Sequence, residues 1–104
     1  MSDWNPDAVR NALSLIEGRW VLPVLRALES GPMRRHVLHR RLHPISDKVL
    51  TETLRRMEAA DLVRRTAIAS VPVEVDYELG ARSAEVRALL TLMTAWTTRS
   101  QFPW

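Results

Sequence analysis

The chain has 104 residues, 46% of them hydrophobic and 26% charged, proportions that fit one small globular domain and exclude a disordered or fibrous chain. It has no cysteine, which excludes a disulfide scaffold, a thiolate nucleophile, a thiol sensor and a cysteine-ligated metal site, and no apolar run approaches the ~18 residues that cross a bilayer. Its net charge of +3 is unevenly spread: residues 34–65 hold nine basic and four acidic residues, a local +5 that suggests a polyanion-binding surface.

The opening Met1-Ser2-Asp3-Trp4-Asn5-Pro6-Asp7 lacks the basic-then-apolar layout of a secretory signal, so a cytoplasmic protein is expected. Val9, Ala12, Leu13 and Ile16 recur at helical spacing, and Asn5 before Pro6 predicts a helix over residues 6–16, broken at Gly18. A second helix is expected from about Trp20 to Glu29, with Pro23 in its first turn, followed by a turn at Ser30-Gly31-Pro32. Leu38 and Leu42 pin a short third helix over 34–41, which His43-Pro44-Ile45 ends. Ser46 is then a good N-cap, with Asp47 next to the positive end of the dipole, for a fourth helix over 47–60 that buries Leu50, Leu54 and Met57. Two short helices joined by a tight turn make a helix-turn-helix, here spanning about 34–60.

The period then changes from helix to strand. Val63–Ile68 reads as one strand, and Val73, Val75, Tyr77 and Leu79 alternate with Glu74, Asp76 and Glu78 in a second. The two form a hairpin over 63–79. A last helix over 82–99 carries Val86, Leu89, Leu90, Met93 and Trp96 on one stripe. The fold expected is therefore mainly α with a small β-hairpin (α+β), a single winged helix-turn-helix domain over 1–104 in the order α-α-α-α-β-β-α.

Several segments carry a resemblance to a known family. They are Ala12-Leu13-Ser14-Leu15-Ile16-Glu17-Gly18-Arg19-Trp20, Gly31-Pro32, and the dense Ile45-Ser46-Asp47-Lys48-Val49-Leu50-Thr51-Glu52-Thr53-Leu54-Arg55-Arg56-Met57-Glu58. The likeness continues through Leu62-Val63-Arg64-Arg65 and Val71-Pro72-Val73-Glu74-Val75-Asp76-Tyr77-Glu78-Leu79. The chain resembles the HxlR family of winged-helix transcriptional regulators, within the MarR-like superfamily, from about Asp7 to Trp96. That resemblance implies a homodimer that binds operator DNA. Where many members have a Cys-Pro sensor, this chain has Asp7 and Ala8, so thiol sensing is out of reach and any control is cysteine-independent. Arg35 stands where a phenylalanine usually anchors the third helix, and Asp61 where a glycine precedes Leu62. Gly80 and Ser83 stand where a threonine and a glycine follow the second strand.

Helical geometry selects the residues that would read DNA. At about 100° per residue, Lys48, Glu52 and Arg55 lie at about 140–200° from Leu50, with Thr51 near 100°. They face outward on the helix that enters the major groove in such folds. Arg55 suits guanine, Thr51 a base edge or thymine methyl, and Lys48 base or phosphate. Glu52 accepts from a cytosine amino group or bridges to Lys48 or Arg56, four residues away. Ser46 is a candidate phosphate contact as well as a cap. Arg34, Arg35 and His36 sit at the start of the third helix, where backbone contacts are expected. The wing tip Ala69-Ser70-Val71 is uncharged, leaving Arg64 and Arg65 at its base; strand alternation sends only one of them toward phosphate.

Rival readings carry less. His36, His39 and His43 share a helical face at a metal-ligand spacing, but that face lies away from Leu38 and Leu42, and neither metal nor cofactor is expected. No catalytic motif appears, so no enzyme is expected. A winged helix used as a protein-interaction module without specific DNA binding is the alternative. Val9, Leu13, Ile16, Val86, Leu89, Leu90, Met93 and Trp96 are the expected dimer interface, with helices 6–16 and 82–99 pairing the protomers. A dimer places two recognition helices about one DNA turn apart and predicts an inverted-repeat operator. Trp4, Trp20, Trp96, Phe102 and Trp104 either fill core and interface, or Trp20 and Trp96 line a pocket for an apolar or aromatic effector. A third reading has no effector at all.

Overall fold

Asn5 opens the first helix by accepting the Ala8 N–H on its side chain at 3.0 Å in the computed structural model, which describes residues 2–99. Pro6 follows within the first turn of α1 (Pro6–Ile16), where its missing N–H breaks no intrahelical bond. α2 (Val21–Leu28) buries Val21, Val24, Leu25, Ala27 and Leu28, a wide apolar face that forms one wall of the core. Next come β1 (Met33–Arg34) and α3 (Arg35–Arg41), which buries Leu38. Ser46 then caps α4 (Asp47–Ala59) by accepting the Val49 N–H at 3.1 Å. β2 (Val63–Ile68), β3 (Glu74–Leu79) and α5 (Ser83–Arg99) complete the chain. The core gathers α2, the Leu38–Leu42–Ile45 junction, the Leu50, Leu54 and Met57 face of α4, and Leu62, Val63 and Tyr77. No described helix is long and apolar enough to cross a membrane.

The sheet has one strand more than the sequence indicated. β1 pairs antiparallel with β3 through Met33–Tyr77 and Arg34–Asp76, giving the order β1-β3-β2. Two residues are too few to show alternation, and their partner lies about forty residues away, so local pattern carries no trace of it. β2 and β3 pair from Val63–Leu79 to Ile68–Glu74. The expected alternation of β3 is blurred. Val73 lies outside the strand and is exposed, Tyr77 alone is fully buried, and Glu74, Asp76 and Glu78 are half-buried. The reason is ionic: Arg34 on β1 pairs with both Glu74 and Asp76 (2.7 Å to the latter), and Arg64 on β2 pairs with Glu78.

The corner between α4 and the sheet gathers three departures from the family pattern. Asp61 adopts φ 58°, the left-handed conformation that favours glycine. Its carbonyl accepts the Arg82 N–H at 3.0 Å, and the Leu62 carbonyl accepts the Gly80 N–H at 2.8 Å. Those bonds draw Gly80 so close that a Cβ there would collide with the Asp61 carbonyl oxygen and lie 2.7 Å from its carbon. Buried Ser83 donates its hydroxyl to the Gly80 carbonyl at 2.8 Å and so secures the start of α5.

The outer helices are only partly used. α1 is exposed from Pro6 to Ser14 and docks through Leu15 and Ile16. α5 sets Val86 and Leu90 against the core but exposes Leu89, Leu92, Met93 and Trp96. The molecule is correspondingly long, 55 × 29 × 23 Å.

Gly80→Ala is expected to lower the unfolding free energy by about 2 kcal/mol, the scale of overpacking against backbone. Asp61→Gly is expected to hold or raise the midpoint, because it removes a left-handed cost of about 1 kcal/mol. Urea unfolding of both variants checks the corner. Equal, small effects at the two positions would contradict it.

Candidate nucleic-acid interface

Burial of Leu50, Leu54 and Met57 turns the opposite side of α4 to solvent, and Lys48, Glu52 and Arg55 are exposed there. Glu52 makes no ion pair among the described residues, so the bridge to Lys48 or Arg56 considered for it is not formed and its carboxylate stands open on that face. Thr51 differs. It is half-buried on the flank of α4, where Arg35 reaches it from the start of α3.

Arg35 is the polar replacement for an apolar anchor. Its guanidinium donates to Asp47 Oδ1 at 2.7 Å and to Thr51 Oγ1 at 2.7 Å, with a longer contact to the Asp47 carbonyl at 3.4 Å. Each planar fork bond fixes direction as well as distance, so one side chain clips the two helices of the helix-turn-helix together. A second tie is the His39 ring, whose Nε2 lies 2.9 Å from the Ile45 carbonyl. His36 and His43 are exposed, and no group of three metal-ligating side chains is poised for an ion among the described residues.

The basic residues divide into two sets. Arg34 is neutralised by Glu74 and Asp76, Arg64 by Glu78, and Arg35 by Asp47. Arg40, Arg41, Lys48, Arg55, Arg56 and Arg65 are exposed and make no ion pair among the described residues. Ser46 is exposed at the N-terminus of α4 beside them. On β2 the alternation separates Arg64, which turns to Glu78, from Arg65, which lines a recess of about 370 Å³ between α4 and the sheet. Thr51, Arg55, Glu58 and Tyr77 also line it. Sequence reasoning passed over Glu58 and Tyr77; the inward phase of Tyr77 on its strand was the available signal.

The residues assigned to a dimer interface fall into three groups. Val9, Leu13, Leu89, Met93 and Trp96 are exposed, Val86 and Leu90 are packed on the core, and Ile16 is buried within its own chain. Leu92, at 68% exposure, joins the open face although it fell outside the stripe read from the sequence. Trp20 packs on the core with the Arg19 guanidinium 5.2 Å from its ring centroid. A recess of about 660 Å³ between α2 and α5 is lined by Leu22, Leu25, Arg87, Ala88 and Leu90 among others, and by neither Trp20 nor Trp96. Trp4 is exposed, and Phe102 and Trp104 lie outside the described residues.

Comparison with known proteins agrees with this architecture. Residues 15–102 match the HxlR-like helix-turn-helix family. The chain is 33% identical over 89 residues to the HTH-type transcriptional regulator YtcD of Bacillus subtilis, covering 86% of this chain and 71% of that one. It is 31% identical over 88 residues to the B. subtilis HTH-type transcriptional regulator YodB, covering 85% and 79%. Among solved structures, a MarR-family transcriptional regulator from Enterococcus faecalis V583 superposes with a TM-score of 0.84 at 32% identity, covering 97% of this chain and 93% of that one. The reduced form of YodB gives 0.79 at 30% identity, with 90% and 91% covered. This winged helix-turn-helix chain belongs to the HxlR-like family.

Proposed function

We propose that this protein is a sequence-specific DNA-binding transcriptional regulator that acts as a homodimer on an inverted-repeat operator. The observation that carries this reading is the exposed face of α4. Lys48, Glu52 and Arg55 project from the second helix of the helix-turn-helix with no intramolecular ion pair among the described residues, in a chain whose relatives are HTH-type regulators. Side chains of these types, held on a capped helix, read base edges, while Arg40, Arg41 and Arg65 supply charge for the backbone.

Dimerisation is supported by what the isolated chain leaves open. An 11-residue helix has little stability of its own in water, and α1 is exposed along all but its last residues. Its Val9 and Leu13, with Leu89, Leu92 and Met93 of α5, form apolar surface that a second copy would cover. Control by an effector would not involve a thiol. The recess between α2 and α5 offers space for an apolar ligand, with the Arg87–Glu29 pair at one side. A ligand held there should raise the melting temperature, and Ala88→Trp should abolish the rise; a rise unchanged by Ala88→Trp would exclude the recess. The exposed uncharged wing tip, with Val71 fully open, favours the second reading, a protein-interaction module.

Selection of bound duplexes from a random pool is expected to enrich an inverted repeat with half-sites about one helical turn apart. Met93→Glu is expected to give a monomer in sedimentation and to weaken operator binding by roughly 10²-fold, the scale of lost avidity. Failure to enrich any sequence would favour the interaction module, and a single half-site bound by a monomer would overturn the dimer.

A further inference from the structure

The recess between α4 and the sheet is lined mainly by side chains with hydrogen-bond donors. Arg35, Arg55 and Arg65 line it with Thr51 and Tyr77, beside apolar Val75 and one carboxylate, Glu58. Such a surround suits an anion with several acceptor oxygens, and guanidinium forks match phosphate geometry.

The state of Thr51 sharpens this. Its oxygen accepts from Arg35, an arginine that cannot accept in return. On α5, Thr91, Thr94 and Thr98 donate their hydroxyls to the carbonyl four residues back. Thr51 does not, and the corresponding Asp47 carbonyl faces Arg35 instead. The Thr51 proton is therefore uncommitted and free to be donated toward the recess. Tyr77 is buried, and its hydroxyl bonds to no protein group among the described residues. Arg55 and Arg65 carry no ion pair there either, whereas Arg34 and Arg64, their neighbours on the sheet, are neutralised by β3.

We propose that this recess seats one backbone phosphate of a bound duplex, held by Arg65 and the Thr51 hydroxyl with Arg55 at its mouth, while Arg35 is the positioning residue that aims Thr51. The seat rests on the DNA-binding reading above and deepens it. A volume of about 370 Å³ admits a phosphate with its ester oxygens. The place is also right: the recess flanks the outward face of α4, where one strand's backbone runs when that helix occupies the major groove. Glu58 weakens the seat for an isolated anion, so the phosphate source is the polyanionic duplex and not free phosphate.

The test replaces single phosphates of the selected duplex by neutral methylphosphonates and measures affinity for the wild-type chain, Arg65→Gln and Thr51→Val, with melting curves confirming that each variant folds. One position per half-site is expected to weaken wild-type binding by roughly tenfold, the scale of a charge-assisted hydrogen bond. The same replacement should cost Arg65→Gln and Thr51→Val little, because the contact is already lost. Salt-dependent duplex binding in which every methylphosphonate acts equally on wild type and variants would overturn the seat and leave the DNA-binding reading intact. Absence of any salt-dependent duplex binding would overturn that reading and the seat with it. Inorganic phosphate provides the second arm: binding at low millimolar concentration that is lost in Arg65→Gln, without coupling in the duplex, would overturn a phosphodiester in favour of a free anion.

Discussion

The side of α4 that enters the core decides what the chain offers a partner. Leu50, Leu54 and Met57 are almost completely buried, and each contributes about 1.5–3 kcal/mol by leaving water. A rotation of the helix by even one residue would expose one of them and turn Lys48, Glu52 or Arg55 toward the apolar core, where a charge is costly to desolvate. Apolar packing thus sets the polar face. Ser46 fixes where the helix starts, and the Arg35 fork to Asp47 and Thr51 fixes how it sits on α3.

Charge is organised by the same logic. The central strand β3 carries three carboxylates, and each is matched by an arginine of a flanking strand. These pairs are partly exposed, so each adds little to stability. Their larger effect is to offset the charge of Arg34 and Arg64 and so weaken the pull of these two on a polyanion. The positive field that remains is concentrated on α3, α4 and the inner side of β2, next to the recess. The basic block of residues 34–65 is therefore narrower as a surface than as a sequence.

The helices were legible because amphipathic periodicity and capping chemistry are local. Asn5 with Pro6, Ser46, and the Leu50–Leu54–Met57 spacing all state their roles within a few residues. What escaped was non-local or depended on a partner. β1 exists only through its pairing with β3, and the ionic ladder of Arg34 and Arg64 appears only once that pairing is known. Arg35 looked like a disturbed apolar anchor or a phosphate contact. Its bonds to Asp47 and to Thr51, sixteen residues on, make it a clip between the two helices. The left-handed backbone of Asp61 explains why glycine usually stands there. At the candidate site, the outward direction of Lys48, Glu52 and Arg55 followed from helical phase alone. The inward turn of Thr51 and Arg65 needed the sheet.

The exposed basic residues of α3, α4 and β2 form the face proposed to meet a nucleic-acid backbone. The most direct measurement is the affinity of the wild-type chain for a duplex as a function of salt concentration. Neutralisation of several phosphates predicts that log K falls linearly with log [salt] at a slope of about −4 or steeper. An affinity that does not change with salt, or no binding at low salt, would contradict it.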